Sequence, residues 1–205
     1  AAQNVTLAAL ADAAGIVTVD AAALTGTNAL TLDASGTNSA LDITSGAGAD
    51  SIVLGTGGST VVTNAGTDTV TVGNVADDIS TGADADTVKV TNALLTDTLV
   101  VAGGTETDTL EVTDAATVVD ADFTGVTGVE VLKLADAAQN VTLAALADAA
   151  GIVTVDAAAL TGTNALTLDA SGTSNVLDIT SGTGADSIVL GTGGSTVVTN
   201  DGTDT

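Results

Sequence analysis

Hydrophobic positions in this chain recur at short, regular intervals and form no long runs. Between residues 50 and 110 a polar residue, usually aspartate, is followed two places later by an aliphatic one, at steps of nine and then eleven residues. The polar members are Asp50, Ser59, Asp68, Asp77, Asp86, Asp97 and Asp108, and the aliphatic members are Ile52, Val61, Val70, Ile79, Val88, Leu99 and Leu110. This alternation predicts very short β-strands with one inward side chain each.

Glycines precede the polar residue in most of these cycles, which predicts tight turns between the strands. These glycines are Gly46, Gly48, Gly55, Gly57, Gly66, Gly73 and Gly82, with Gly182 and Gly184 in a later copy. Nine residues are too few for an ordinary hairpin, but they fit half a coil of a flattened solenoid. Two cycles then make one coil, so residues 18 apart stack on the same edge. One edge should carry Asp50, Asp68, Asp86 and Asp108, and the other Ser59, Asp77 and Asp97.

Residues 113 to 176 show strand-like runs joined by alanine-rich connectors. Their strand starts continue at steps of eleven across the join, which predicts one solenoid whose rungs change length. Two connectors predict single helical turns: residues 144–150, ending at Gly151, and residues 157–160, N-capped by Asp156. Phe123, the one phenylalanine, is expected to fill a widened rung.

These patterns together predict an all-β fold, a parallel β-solenoid of the β-roll or β-helix type with short helical turns. The general preference for right-handed crossovers between parallel strands favours a right-handed coil. Four segments are expected along the chain: irregular rungs over residues 1–40, a nonapeptide roll over 41–112, irregular rungs over 113–176, and a second, truncated roll over 177–205.

The chain also repeats itself on a longer scale, because residues 137–205 rewrite residues 1–69 at an offset of 136 with only five changes. The changes are Asn38 to Ser174, Ser39 to Asn175, Ala40 to Val176, Ala47 to Thr183 and Ala65 to Asp201. We expect a piece of a larger array. Such repetition is typical of proteins that supply length or surface, since each unit packs on the next.

Composition favours cations as partners. The chain has 26 acidic residues against two lysines, Lys89 and Lys133, for a net charge of −24, and 45% of its residues are hydrophobic. It is too apolar for disorder, and its charge disfavours nucleic acid and anionic membranes. No apolar run approaches the roughly 18 residues of a membrane span. With no His, Cys or Tyr, and no acid outside the repeating pattern, the sequence predicts no enzyme.

One stretch carries a family resemblance. Ser45-Gly46-Ala47-Gly48-Ala49-Asp50-Ser51-Ile52-Val53 is similar at every position but the first to the nonapeptide G-G-x-G-x-D-x-U-x of calcium-binding RTX repeats. Gly103-Gly104-Thr105-Glu106-Thr107-Asp108-Thr109-Leu110-Glu111 matches at all but the fourth. The chain therefore resembles an RTX-type β-roll, and its alternation with alanine-rich rungs resembles bacterial surface-layer proteins and giant repeat adhesins.

The chain departs from the RTX pattern at several turns. Ser59 and Ser195 replace an acid, and Val75 replaces a turn glycine. Asp84 and Glu106 stand where glycine is usual, and the turn before Asp97 has no glycine. Calcium sites on those turns are less firmly predicted than on the others.

The resemblance implies several Ca²⁺ ions held between stacked turns by aspartate side chains and turn carbonyls. The implied side chains are Asp50, Asp68, Asp77, Asp86, Asp97, Asp108, Asp186 and Asp204, with the turn glycines named above. Carboxylates about 5 Å apart repel by about 3 kcal/mol at an effective dielectric of 20, and Ca²⁺ accepts six to eight oxygens. We therefore expect folding to be coupled to calcium. The alternative is that these residues only form turns.

Near-identical copies suit an extracellular or bacterial cell-surface structural protein, stabilised by calcium, that self-assembles end to end or laterally into a fibre or surface layer. A second reading is the extender region of an RTX adhesin. A third, less favoured, is an ice-binding solenoid, because the threonines do not keep one outward register through the alanine-rich half. By resemblance, a type I system would secrete the protein.

Overall fold

The computed structural model describes all 205 residues, and its strands are very short. The strands are β1 Gln3–Thr6, β2 Thr18–Asp20, β3 Leu30–Asp33, β4 Asp42–Thr44, β5 Ser51–Val53, β6 Thr60–Val62, β7 Thr69–Thr71, β8 Asp78–Ala83, β9 Thr87–Val90, β10 Val100–Thr105, β11 Thr109–Val112, β12 Ala116–Val118, β13 Val126–Thr127, β14 Val131–Leu134, β15 Gln139–Thr142, β16 Thr154–Asp156, β17 Leu166–Asp169, β18 Asp178–Thr180, β19 Ser187–Val189 and β20 Thr196–Val198. The helices are α1 Ala9–Ala13, α2 Ala145–Ala150 and a 3₁₀ turn, Asp120–Phe123. Neither α-helix has the length and hydropathy of a membrane-spanning segment.

All strand pairs are parallel, and successive coils of the chain add strands to the same sheets. Sheet A has ten strands in the order β1-β3-β5-β7-β9-β11-β14-β16-β18-β20. Sheet B has the order β13-β10-β8-β6-β4-β2, and sheet C the order β12-β15-β17-β19. The predicted parallel β-solenoid is confirmed, with about eight turns and 7% helix.

The core is a narrow strip of aliphatic side chains running the length of the solenoid. One cluster of 38 buried residues contains it, and the predicted inward positions, from Ile52 to Leu110, are at most 3% exposed. Phe123 is 1% exposed in the 3₁₀ turn, as the sequence predicts for a widened rung. Because each rung contributes only a few small side chains, the core depends on stacking between rungs.

Glycine serves two different purposes in the turns. At Gly46 and Gly48 a Cβ atom would collide with the backbone carbonyls of Leu24 and Asn28 one rung earlier, so these positions need close approach. At Gly66 and Gly82, φ is +120° and +103°, so these positions need the left-handed region. The sequence predicts only the second reason.

The helical connectors match the sequence prediction in one case and contradict it in the other. Helix α2 ends at Gly151, where φ is +107°. Its first N–H groups are capped from the preceding coil, because the carboxylate of Asp120 accepts hydrogen bonds from Ala144 N (2.8 Å), Leu146 N (3.1 Å) and Ala147 N (3.0 Å). The predicted helix after Asp156 is wrong: Asp156 Oδ1 accepts from Ala158 N two residues on, and the connector closes as a tight turn without helix.

The second copy of the repeat is displaced by half a coil from the first. Strands β1, β3 and β5 belong to sheet A, whereas their counterparts β15, β17 and β19 belong to sheet C. Likewise β2, β4 and β6 belong to sheet B, and their counterparts β16, β18 and β20 to sheet A. The shift arises between β11 and β14, where the chain adds β12 to sheet C and β13 to sheet B before it returns to sheet A.

We predict that Gly48→Ala lowers the free energy of unfolding by about 1–3 kcal/mol, because the new methyl group overlaps a backbone carbonyl that cannot move alone. The matched control is Ala47→Thr, which places in the first copy the residue that the second copy has at Thr183. Ala47 is exposed, so this control should leave stability unchanged. Urea unfolding followed by circular dichroism measures both. Equal stability of the two variants would contradict the close-packing explanation.

Candidate cation site

Four aspartates stack in the turns that lead into β5, β7, β9 and β11 of sheet A. The Oδ1 atom of each accepts a hydrogen bond from the backbone N–H of the corresponding residue one coil earlier. The N···O distances are 2.6 Å from Leu30 to Asp50, 2.7 Å from Asp50 to Asp68, 2.7 Å from Asp68 to Asp86 and 2.8 Å from Asp86 to Asp108. All four residues are at most 2% exposed. The predicted edge therefore exists, as a row of buried carboxylates that we call the acid column.

The acid column has a fifth member that the sequence analysis missed. Glu130 precedes β14, and its Oε2 atom accepts a hydrogen bond from Asp108 N at 2.9 Å. The signal was present, because Glu130 lies 22 residues after Asp108, as Asp108 does after Asp86, and Leu132 follows it by two places. A pattern based on steps of nine residues does not include this spacing of 22. In the next coil the aligned residue is Val153, which has no acceptor in its side chain, and Glu130 N donates instead to the backbone carbonyl of Asp108, so the column ends there.

The second copy begins an equivalent column on a different sheet. Leu166 N donates to Asp186 Oδ1 at 2.8 Å, and Asp186 N donates to Asp204 Oδ1 at 3.0 Å. Asp186 precedes β19, which belongs to sheet C. Gly182 and Gly184 pack against the carbonyls of Leu160 and Asn164, as Gly46 and Gly48 do in the first copy.

The opposite edge is built differently. Leu41 N donates to Ser59 Oγ (3.2 Å) and Ser59 N donates to Asp77 Oδ1 (2.8 Å), so the serine continues the stack without charge. Asp77 Oδ2 accepts from Gly73 N (3.0 Å) and from the neighbouring Asn74 N (2.9 Å). Both oxygens of Asp77 therefore have protein donors. The predicted turn of Gly55 and Gly57 packs on this edge against the carbonyls of Thr37 and Ser39.

Asp97 does not continue that edge, and its predicted place there is corrected by the strand register. Val100 pairs with Asp78, which puts Leu99, and not Asp97, beside Asp77. Asp97 itself is exposed. The reason is length: the step from Thr60 to Asp78 is 18 residues and the step from Asp78 to Val100 is 22. The extra four residues carry Asp97 into an outer turn.

The acid column holds buried oxygen atoms that no protein group satisfies. The Oδ2 atoms of Asp50, Asp68, Asp86, Asp108 and Asp186 are buried and have no hydrogen-bond partner. Burial raises the pKa of Asp68 and of Asp108 to about 6, with the neighbouring carboxylates contributing to the rise. Burial also raises the pKa of Asp86. A buried carboxylate oxygen without a partner is costly, so the ionised column is destabilised unless a proton or a cation satisfies these oxygens.

Further oxygen atoms lie near these carboxylates. A Cβ atom added to Gly103 would lie 2.7 Å from Asp108 Oδ2 and would also collide with the carbonyl of Gly128, so the absence of a side chain leaves this space open. The hydroxyls of Thr63 and Thr81 are buried nearby and donate to the carbonyls of Thr81 and Gly103, both at 2.7 Å. Carboxylate, carbonyl and hydroxyl oxygens suit Ca²⁺. No three acidic side chains converge on one point, so a bound ion would take most ligands from the backbone.

Two of the turn acids sit in a backbone conformation suited to glycine. Asp84 and Glu106 have φ of +80° and +81°, at the positions where the RTX pattern has glycine. Both side chains are exposed, and their charges raise the pKa of Asp86 and Asp108 respectively. They add negative charge at the outer side of the acid column.

Other acids of the chain are satisfied without a cation. Asp12 accepts a hydrogen bond from Asn38 N at 2.9 Å, which lowers its pKa. Asp136 accepts from the hydroxyl and the N–H of Thr161, both at 2.7 Å, and its pKa is also lowered. These carboxylates join one coil to the next on the surface. Among the acids of this chain, only those of the column type therefore have a buried oxygen without a partner.

No family model, no curated protein and no solved structure matches this chain. The acid column, with its unpartnered oxygens, is the feature of the molecule with the clearest ligand chemistry. Its members in the first copy are the four buried aspartates Asp50, Asp68, Asp86 and Asp108, and the half-buried Glu130 ends the hydrogen-bonded row.

We predict that the calcium-free protein becomes less stable as the pH rises. Asp68 and Asp108 keep their protons in the folded protein up to about pH 6, whereas the unfolded chain loses them near pH 4. Between these values the folded state binds more protons, so the free energy of unfolding falls with rising pH. Thermal melts in chelator should give a lower Tm at about pH 7 than at about pH 4.5.

The substitution Asp68→Asn should reduce that loss, because a neutral amide has no charge to bury. Asp136→Asn is the control, since hydrogen bonds lower the pKa of Asp136 and its contribution is present above the unfolded pKa. That variant should melt lower than the wild type at neutral pH. A calcium-free Asp68→Asn protein that melts below the wild type at neutral pH would contradict the burial argument.

Proposed function

We propose that this protein is a calcium-stabilised extracellular structural repeat protein, related to RTX β-rolls, that self-assembles into a fibre or surface layer. The observation that carries the proposal is the acid column, whose buried Oδ2 atoms have no protein partner. Successive coils put these carboxylates about 5 Å apart. A divalent cation between neighbouring turns removes the repulsion and supplies the missing partner.

Calcium fits better than other metals on the chemistry of the donors. The column offers only oxygen atoms, and the chain has no His or Cys, the ligands that zinc and copper prefer. Calcium tolerates irregular geometry and takes carbonyl oxygens readily, and extracellular modules bind it with dissociation constants of about 0.1–1 mM. The RTX resemblance of residues 45–53 supports the same ion and an extracellular location.

The structural role is supported by the shape of the fold. Sheet A runs without a break from β1 to β20, and one core cluster extends from Leu30 to Ile179. Such a solenoid is a rod whose length grows with the number of repeats and whose surface is periodic. A periodic surface suits association with further copies of the same chain.

The second candidate is the extender region of an RTX adhesin, which the unbroken rod also supports. Ice binding has less support. Thr31, Ser51, Thr69, Thr87 and Thr109 form one outward row on sheet A. Val131 interrupts that row, and the neighbouring row contains Asp33, Lys89 and Glu111, so no wide hydroxyl surface forms.

We predict that calcium raises the Tm of the wild-type protein and that Asp86→Asn weakens this effect. Asp86 lies between Asp68 and Asp108, so its loss alters the space on both sides. A tenfold loss of affinity removes about 1.4 kcal/mol of calcium stabilisation per site at a fixed excess of the ion. Asp136→Asn is the control and should keep the full response. Thermal melts over a calcium titration measure both effects. A wild-type Tm that does not change with calcium would refute the proposed ion.

Negative-stain microscopy separates the two structural candidates. Fibres or sheets in millimolar calcium that disperse in excess chelator are expected for the proposed function. Isolated rods in calcium would favour the adhesin extender. Identical images in both conditions would argue against a role of calcium in assembly.

A further inference from the structure

The only two lysines of the chain lie in one row on the outer face of sheet A. The register aligns Lys89 of β9 with Glu111 of β11, and Glu111 with Lys133 of β14. The Nζ atoms of the lysines are 3.8 Å and 3.7 Å from the same Glu111 oxygen, and their side chains are 40% and 42% exposed. We call these three residues the basic row. It is a local positive site on a chain of net charge −24.

The ion pairs with Glu111 leave hydrogen-bond donors of both lysines free. Both distances are longer than an ordinary N–H···O hydrogen bond of about 2.7–3.2 Å, and an ammonium group has three donors. Exposed pairs of this kind contribute little to stability, about 0–1 kcal/mol. Each lysine therefore keeps donors free for a further partner.

The opposite face of the solenoid carries a matching row of acids. On sheet B, Asp42 of β4 aligns with Thr60 of β6, and Thr60 with Asp78 of β8. All three side chains are exposed, and we call them the acidic row. A depression of about 400 Å³ beside Asp42 and Thr60 leaves room for a long side chain.

The two rows match in spacing as well as in charge. In each row the outer residues are two strands apart, which is about 10 Å. The basic row reads Lys-Glu-Lys and the acidic row Asp-Thr-Asp. Laid face to face, each lysine meets an aspartate, and the hydroxyl of Thr60 can donate to the carboxylate of Glu111. The pattern is symmetric, so it fits whether the two rods run parallel or antiparallel.

We propose that the basic row of one molecule docks on the acidic row of a second copy of this chain, as the lateral contact of the assembly. This inference rests on the proposed self-assembly. Because the two rows lie on opposite faces, each molecule can contact one neighbour on either side. Such a heterologous contact continues as an open layer and does not close as a dimer.

Because of the half-coil displacement of the repeat, sheet A also carries residues equivalent to part of the acidic row. The counterparts of Asp42 and Thr60 in the second copy are Asp178 and Thr196, which align on β18 and β20 of sheet A. The face that carries the basic row therefore also carries the start of an acidic row.

A charge-swap experiment tests this contact. One variant carries Lys89→Asp and Lys133→Asp, and the other carries Asp42→Lys and Asp78→Lys. All four side chains point outward, so both variants should fold and keep the calcium-induced rise in Tm. In saturating calcium, sedimentation velocity should show self-association of each variant weakened by about tenfold or more. An equimolar mixture should restore it, because acidic and basic rows then face each other again.

Net charge cannot account for this pattern, because the first variant changes it from −24 to −28 and the second to −20, so a nonspecific charge effect would shift the association of the two variants in opposite directions. Association of either variant at the wild-type level, or a mixture that stays dispersed, would overturn the docking proposal. A wild-type protein that binds calcium but sediments as a monomer would overturn it as well, leaving the calcium site intact. Loss of the calcium response in the wild type would instead refute the proposed function itself.

Discussion

The structure depends on one constraint, which is that each coil supplies hydrogen-bond acceptors to the coil before it. Parallel strands satisfy most backbone groups, but the turn residue before each strand also has an N–H that must be satisfied. In the acid column a carboxylate one coil later accepts that bond. At Leu41 a serine hydroxyl does the same, and at Ala116, the first residue of β12, the amide oxygen of Gln139 does. In each of these places a side chain of the following coil accepts the N–H. That side chain is charged in the acid column and neutral at Leu41 and Ala116.

That variation explains why only some acids of this chain keep a buried oxygen atom without a partner. Where the acceptor is aspartate, one oxygen is used by the neighbouring coil and the other is buried with no partner. Asp77 has no unpartnered oxygen, because two N–H groups of its own turn donate to Oδ2. Asp12 and Asp136 have no buried, unpartnered oxygen, because they lie on the surface and accept hydrogen bonds from the following coil. The same residue type therefore joins coils through hydrogen bonds in one place and keeps a buried oxygen without a partner in another, according to burial.

The half-coil displacement of the second copy gives the rod two similar faces. Because β12 and β13 share one coil, residues that face one side in the first copy face the other side in the second. The proposed contact joins two different faces, and the displacement places Asp178 and Thr196, the counterparts of Asp42 and Thr60, on the sheet that also carries the basic row. The irregular coil near Phe123 therefore determines which face of the rod each later strand occupies, and so which faces meet in the proposed layer.

The periodic pattern by itself determined the solenoid, its inward residues and the stacking of Asp50, Asp68, Asp86 and Asp108, because a two-residue strand period and an 18-residue coil leave few alternatives. It misplaced Asp97, because coil length changes at β10 and only the register shows that Leu99 aligns with Asp77. It missed Glu130, whose spacing of 22 residues from Asp108 is visible in the sequence but falls outside the nine-residue pattern. It also could not distinguish buried acids from satisfied ones, since that depends on donors one coil away. The tertiary structure alone decided which carboxylate oxygens lack partners, and which faces the two lysines and their matching acids occupy.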